Sequence, residues 1–247
     1  MPDSDSNQDT QQPVVLLERR QELEHKLKAN PTDLEGYLEL AAIYRTEERP
    51  LEAKRLLQQA AKIFPDEESV CWQLEEAVLA RSLQQYREVS DVATRLKSVE
   101  GDRALERSRS DWACRRIEVC QARLERDPSQ VALRMALAEA KFDAERYEEA
   151  YEEAGRLLEL DEFTAPAHFI RARCLIALGK DLPAMKELRA VALRRAVVSA
   201  PRLRIASLKL LCDLAKKLTL DASESEYREQ LKRAEAAAAH SSEGTKS

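Results

Sequence analysis

The side chains that most often carry chemistry are few in this chain and far apart. The three histidines, His25, His168 and His240, share no metal-ligand spacing. The five cysteines are Cys71, Cys114, Cys120, Cys174 and Cys212. They are odd in number and form no CxxC pair, so we expect them to be small buried residues that stay reduced. No Walker loop, GxGxxG, HExxH or GxSxG motif is present. The sequence therefore predicts a protein that is not an enzyme and has no catalytic, cofactor-binding or metal site.

Carboxylates are numerous, but their setting is that of solvated helix faces. They alternate with Lys and Arg at helix-surface intervals in a chain of 247 residues that is 34% charged. The net charge of −5 argues against a general nucleic-acid or membrane-surface binder. No run approaches the roughly 18 apolar residues of a membrane span, and the start "MPDSDSNQDTQQP" does not have the basic and apolar regions of a signal peptide. A cytoplasmic protein with no membrane partner is predicted.

Helices must position whatever site this chain has. Helical periodicity is nearly continuous between two polar ends, 1–12 and 241–247, which we expect to be disordered. Alternating β-branched runs and Asn-Gly turns are absent, and only 5 glycines are present. The sequence thus predicts an all-α fold.

The helical pattern has a period of 34 residues. Pro31 and Pro65 are 34 residues apart, and so are Ala138 and Ala172. Within each unit two alanines stand 12 residues apart, in the pairs Ala41 and Ala53, Ala138 and Ala150, and Ala172 and Ala184. A side chain longer than methyl would hold two antiparallel helices apart where they cross closely, so these alanines indicate tight helical hairpins.

The stretch "GYLELAAIYRTEERPLEAKRLLQQAAKIFP", residues 36–65, resembles a tetratricopeptide repeat (TPR), whose length is also 34 residues. The residues that carry the resemblance are Tyr37, Leu40, Ala41, Tyr44, Ala53, Leu57, Ala60 and Pro65. Units beginning at Val131 and Ala165 fit as well, through Leu137, Ala138, Tyr147, Ala150, Ala172, Leu175, Gly179, Ala184 and Leu188. They depart from the family pattern at Arg134, Lys141, His168 and Arg171. The resemblance implies a right-handed superhelix of stacked hairpins, here with about 11 to 12 helices.

The chain reads as two similar halves. A segment that begins at residue 48, "ERPLEAKRLLQQAAKIFP", is similar to one that begins 97 residues later, "ERYEEAYEEAGRLLELDE". We expect residues 13–100 to form a lead helix plus two hairpins, the second over about Glu68 to Val99, and residues 101–240 a similar half with a closing helix pair. Gly101 could end a helix and Asp102 begin one, or residues 102–126 could form one long helix. Internal duplication is one interpretation, and the general likeness of any two such units is the other.

A second stripe on the first helix of each hairpin lies off the hairpin interior. In the unit from Val131 it follows an i, i+4, i+7 spacing, which repeats one period later. By resemblance to the family this stripe lines the concave face and binds a protein partner, and its residues are Leu38, Ala42, Arg45, Trp72, Glu76, Met135, Glu139, Phe142, Phe169, Arg173 and Ile176. Two alternatives stay open: these side chains pack against neighbouring helices, or the C-terminal helix of the same chain fills the groove.

Charge is segregated along the second half. Residues 139–162 hold 10 acidic and 3 basic residues, and residues 186–217 hold 9 basic and 2 acidic residues.

The predicted function is a non-catalytic scaffold or adaptor that binds a peptide or helix of a partner protein. The alternative is a self-associating structural protein, a homo-oligomer, that uses these acidic and basic surfaces. An RNA-binding helical repeat would depend on the basic stretch alone, which has no aromatic residue for base stacking.

Overall fold

A computed structural model of the chain describes residues 11–194 and 199–243. These residues form eleven α-helices and no strand, which confirms the predicted all-α fold. The helices are α1 (Gln11–Ala29), α2 (Leu34–Thr46), α3 (Pro50–Ile63), α4 (Glu68–Leu96), α5 (Val99–Arg126), α6 (Val131–Asp143), α7 (Tyr147–Gly155), α8 (Asp161–Ala177), α9 (Asp181–Leu193), α10 (Pro201–Lys217) and α11 (Asp221–Glu243).

The two expected tails are helical where they are described. Helix α1 begins at Gln11 and α11 runs to Glu243, so helix extends into both segments expected to be disordered. The rest of those segments, 1–10 and 244–247, lies outside the described residues.

The chain forms two compact units that divide inside α5. Unit 1 ends at Arg115 and unit 2 begins at Arg116, whereas the sequence pattern places the division after residue 100. In unit 1, α2 packs against α1, α3 and α4, and α3 packs against α4. In unit 2, each helix from α6 to α11 packs against the next, and α8 also contacts α6 and α10. The first helices α6, α8 and α10 therefore form one layer, the first-helix layer, and α7, α9 and α11 form the second-helix layer.

Four helical hairpins turn in the same way. One residue in each turn has left-handed backbone geometry: Glu48 (φ 55°), Glu145 (φ 60°), Gly179 (φ 71°) and Thr219 (φ 53°). The amide of the next residue then donates to a carbonyl five positions back, as from Arg146 to Lys141 (2.9 Å) and from Lys180 to Leu175 (2.8 Å). Such a bond satisfies a carbonyl that the helix end leaves unpaired. The turn is thus a repeated part of the hairpin, and glycine occupies it only once.

The small alanines lie where the hairpins close. Ala41, Ala53, Ala138 and Ala150 are all fully buried, as are Ala172 and Ala184. In unit 1 they belong to one apolar cluster with Leu40, Leu57 and Ala60. The alanines therefore lie in the hairpin interior, as the prediction of tight helical hairpins requires.

The second hairpin expected in the N-terminal half is instead a single helix, α4, of 29 residues. No glycine or proline stands between Glu68 and Leu96, so nothing in the backbone interrupts the helix. The break comes at Lys97, which is left-handed (φ 47°), and at Ser98, whose hydroxyl accepts a hydrogen bond from the amide of Gly101 (3.0 Å).

Helix α5 corresponds to the long-helix alternative, and it starts at Val99 rather than Asp102. Gly101 therefore lies in the first turn of α5 and does not end a helix. A Cβ added there would stand 3.4 Å from the Cα of Ala93 in α4, which is ordinary van der Waals contact, so the approach of α4 does not require glycine at this position.

Candidate protein-interaction grooves

Four of the predicted partner-binding residues meet in one groove of unit 2. Helix α6 contributes Phe142 and helix α8 contributes Phe169, Arg173 and Ile176, and α10 forms the opposite wall. The groove has a volume of about 490 Å³ and also includes Ala177, Ala206, Lys209 and Leu210. We call it the apolar groove, because apolar side chains form most of its surface. It lies on the first-helix layer, where the resemblance places the partner surface.

The register of α8 explains this arrangement. Ala172 and Leu175 are buried in the hairpin interior, while Phe169, Arg173 and Ile176 lie on the neighbouring stripe of the same helix and are half-buried. Phe169 and Ile176 also pack against the buried cluster of α8 to α11. These residues therefore have one side in the core and another side towards the groove.

Arg173 is the central cation of the apolar groove. Its guanidinium carbon lies 4.0 Å from the ring centre of Phe142 and 6.0 Å from that of Phe169. A guanidinium over an aromatic face is attracted by the negative face of the ring. Among the described residues no carboxylate forms an ion pair with Arg173, so its charge is open to an acidic group of a ligand.

Met135 and Glu139 are not part of the apolar groove. Met135 is only 8% exposed and belongs to the buried cluster of α6, α7 and α8. Glu139 is exposed at the surface, where its carboxylate lies 3.7 Å from the guanidinium of Arg116. For Met135 the alternative of packing against neighbouring helices therefore holds.

Unit 1 has a groove at the matching place, but with different chemistry. It includes Arg45 and Glu76 of the predicted set, has a volume of about 350 Å³, and is completed by Glu48, Pro50, Ala80, Leu83, Gln84 and Arg87. We call it the polar groove. Leu38 packs against the core of unit 1, and Ala42 and Trp72 are half-buried without lining the groove. The stripe in unit 1 is thus divided between packing and surface.

The α10 wall of the apolar groove was not predicted from the sequence, where α10 and α11 were interpreted only as a closing pair. Ala206, Lys209 and Leu210 follow i, i+3, i+4 spacing on α10, while Ser207, Leu208 and Leu211 are buried. The sequence could have indicated this wall, because α10 lies in the same layer as α8 and carries a second stripe outside its buried residues.

The departures from the TPR pattern are explained by two ionic clusters inside unit 2. In the first, the buried carboxylate of Glu153 lies 3.1 Å from Arg134 and 3.3 Å from the buried ammonium of Lys141. In the second, Glu187 binds Arg171 at 3.0 Å and pairs with His168. Glu187 stands 34 residues after Glu153, and His168 stands 34 residues after Arg134. The charged residues at hairpin positions are therefore a repeated, paired feature.

Burial and pairing act in opposite directions on Glu187. Burial alone raises the pKa of its carboxyl, but hydrogen bonds with His168 and Arg171 outweigh burial, so the pKa lies below the ordinary glutamate value. Arg171 also lies over the ring of Tyr151, 3.8 Å from its centre, and donates a hydrogen bond to the Tyr151 hydroxyl. This cluster connects α7, α8 and α9.

A third groove lies between α9 and α11 in the second-helix layer. Its volume is about 440 Å³, and three cations line it: Lys186, Arg189 and Arg194. Its other residues are Leu182, Met185, Leu193, Leu220, Ser223 and Tyr227. We call it the basic groove. The basic stretch predicted from residue 186 onward thus becomes, in part, a concave surface with apolar side chains beside the charges.

The candidate chemical residues remain dispersed. Within 11–194 and 199–243, no group of three or more His, Cys, Asp and Glu residues is placed to hold a metal ion. All five cysteines are free, and burial raises the pKa of the Cys174 thiol to about 11. In the same part of the chain, no helix is both long and apolar enough to cross a membrane.

Comparison with solved structures finds repeat proteins. A candidate kinesin light chain of Podosopora anserina with nearly identical TPR-like repeats is 20% identical, with coverage of 85% of this chain and 98% of that chain and a TM-score of 0.47. A variant of that protein with one glutamine replaced by methionine is also 20% identical, with the same coverage and a TM-score of 0.48. A TPR protein of Parabacteroides merdae ATCC 43184 is 15% identical, with coverage of 92% and 94% and a TM-score of 0.38.

No protein-family model matches the chain, and no curated protein matches it. The assignment of the fold therefore depends on the chain itself. Its paired helices, its left-handed turns and its 34-residue phasing of buried alanines form a TPR-like helical repeat.

Proposed function

We propose that the protein is a non-catalytic interaction scaffold, and that its apolar groove binds a segment of a partner protein. The observation that carries the proposal is the convergence of Phe142, Phe169 and Ile176 with the α10 wall around Arg173. Stacked helical hairpins commonly present such a surface to a peptide or a helix. The proposed surface is smaller than the predicted stripe, since it omits Met135 and Glu139 and the stripe residues of unit 1, which are Leu38, Ala42, Arg45, Trp72 and Glu76.

The chemistry of the groove specifies the ligand. Apolar walls favour aliphatic or aromatic anchors, which gain free energy when they leave water. Arg173 and Lys209 add positive charge, and Lys209 is an exposed residue that pairs with Glu235 at 3.3 Å. We therefore expect an amphipathic helix or an extended segment with two or more apolar residues and one carboxylate near Arg173.

A displayed library of random peptides, selected on the wild-type protein, would test the proposal. Ala177→Trp is the blocking variant, because Ala177 is exposed and lines the groove, so a large side chain there fills it without disturbing the core. Ala80→Trp is the matched control in the polar groove of unit 1. We expect selected peptides with apolar anchors and a carboxylate to lose binding about tenfold or more on Ala177→Trp and on Arg173→Glu.

The control should bind the same peptides as the wild type does. Equal affinity for the wild type and for Ala177→Trp would contradict the proposed site. Phe142→Ala and Phe169→Ala are less informative, since both side chains also contact the buried clusters and their loss reduces stability.

A further inference from the structure

The basic groove holds three cations, Lys186, Arg189 and Arg194. No carboxylate among the described residues forms an ion pair with Lys186, Arg189 or Arg194, although many other Lys and Arg side chains of unit 2 are paired. Beside these cations stand two exposed leucines: Leu182 is 66% exposed and Leu220 is 38% exposed. The groove therefore presents positive charge and apolar surface together.

The same unit carries a segment of the opposite character. Residues 159–162, "ELDE", end the connection from α7 and begin α8, and all four side chains are exposed. Leu160 is 40% exposed, and Glu159, Asp161 and Glu162 have no ion-pair partner among the described residues. We call this the acidic segment. It combines unpaired negative charge with an exposed leucine.

The two surfaces match in both charge and apolar character. Among the described residues, seven large hydrophobic side chains are exposed, and three of them, Leu160, Leu182 and Leu220, belong to these two surfaces. The acidic segment does not line the basic groove of its own chain. Each surface is therefore available to a second molecule, and the chemistry that the groove requires is present on the protein itself.

We propose that the basic groove binds the acidic segment of a second copy of this chain. Leu160 would enter between Leu182 and Leu220, and the carboxylates of Glu159 and Glu162 would face Lys186 and Arg189. Exposed ion pairs contribute little on their own, so the leucines supply the apolar burial and the charges select the register. Because two different surfaces meet, the contact is heterologous and every copy offers one of each.

Charge reversal gives a direct test by light scattering and sedimentation over a range of protein concentrations. We expect the wild type to self-associate at about 50 mM salt and to associate at least about tenfold more weakly at about 500 mM salt. Lys186→Glu with Arg189→Glu should weaken association about tenfold or more, and so should Glu159→Lys with Glu162→Lys. Combining all four substitutions in one chain restores opposite charges across the contact and should restore association.

The control is Arg55→Glu with Lys62→Glu in α3, which changes net charge equally at two exposed residues without ion pairs among the described residues. It should associate as the wild type does. Leu160→Ser tests whether the Leu160 side chain anchors the contact. Serine is a better residue than leucine at the position before α8, so this substitution does not weaken the helix. A wild type that stays monomeric at low salt, or a fourfold variant that associates no better than its two parents, would overturn the proposal.

Discussion

The first-helix surfaces of the two units share a helical register but differ in chemistry. In unit 1 the groove is lined by Arg45, Glu76 and Arg87, and in unit 2 the corresponding surface is lined by Phe142, Phe169 and Ile176. The repeat decides where a groove lies, because it places one stripe of each first helix outside the hairpin. The residues on that stripe decide what the groove can hold, and of these two grooves only the one in unit 2 has aromatic side chains among its lining residues.

The hairpin interiors differ in a parallel way. Tyr37, Tyr44 and Leu56 in unit 1 correspond, 97 residues later, to Arg134, Lys141 and Glu153 in unit 2. At these three positions unit 1 has apolar and aromatic side chains, whereas unit 2 has an ionic cluster. The same turn and the same small alanines therefore accept either filling, which indicates that they define the hairpin.

The largest effect should come from breaking the ionic cluster. Glu153→Ala removes the buried carboxylate that pairs with both Arg134 and Lys141, leaves Lys141 only the more distant Glu149 at 3.9 Å, and should lower the free energy of unfolding by about 3–5 kcal/mol. The corresponding change in unit 1, Leu56→Ala, removes a half-buried apolar side chain and should cost about 1–2 kcal/mol. Urea denaturation measures both, and a shift for Glu153→Ala no larger than that for Leu56→Ala would contradict the distinction.

A triple exchange sharpens the same comparison. Arg134→Tyr, Lys141→Tyr and Glu153→Leu together give unit 2 the residues of unit 1. Since a packed apolar group can replace a buried ion pair without loss, we expect a folded protein with stability equal to or above that of the wild type, by up to about 4 kcal/mol. A triple variant that is less stable than Glu153→Ala would show that the ionic cluster is needed for the fold of unit 2.

Overpacking at the hairpin closure should affect both units alike. Ala53→Leu in unit 1 and Ala150→Leu in unit 2 each place a large side chain at a fully buried position, and each should destabilise by about 1–3 kcal/mol. Thermal and denaturant unfolding provide the measurement. An unchanged denaturation midpoint in both variants would refute the role given to these alanines.

Substitutions at the left-handed turn residue should change stability in opposite directions, depending on whether glycine is introduced or removed. Glu48→Gly and Glu145→Gly relieve a left-handed conformation that side chains rarely adopt, and each should stabilise by up to about 1 kcal/mol. Gly179→Ala introduces the same strain and should destabilise by about 1 kcal/mol. Denaturation midpoints compare the three variants, and a loss of stability in both glycine variants would refute the shared turn.

The smallest effect concerns pH and belongs to unit 2. Because the folded-state pKa of Glu187 is depressed, its contribution to stability is present above the ordinary glutamate pKa of about 4.3 and is lost as pH falls through the lower folded value. Glu187→Gln should therefore make stability less dependent on pH below about 4.3. Chemical denaturation at several pH values checks this, and an unchanged slope in the variant would contradict it.

The sequence predicted the hairpins well where small residues and turns repeat. Residue spacing along a helix is enough to identify the alanines, the 34-residue period and the stripe of Phe169, Arg173 and Ile176. The single helix α4 was missed, because family length suggested a turn where the residues contain no glycine or proline. The ionic clusters were seen only as departures, since the partner carboxylates Glu153 and Glu187 stand 12 to 19 residues away in the chain.

The most direct test of the proposed partner site is a photo-crosslink from inside the apolar groove. A benzoylphenylalanine placed at Ala177 in unit 2, or at Ala80 in unit 1 as the matched control, is illuminated with a peptide selected on the wild-type protein. We predict crosslinking from position 177, its loss when Arg173→Glu is added, and none from position 80. Crosslinking from position 80 alone, or equally from both positions, would contradict the claim that unit 2 carries the partner site.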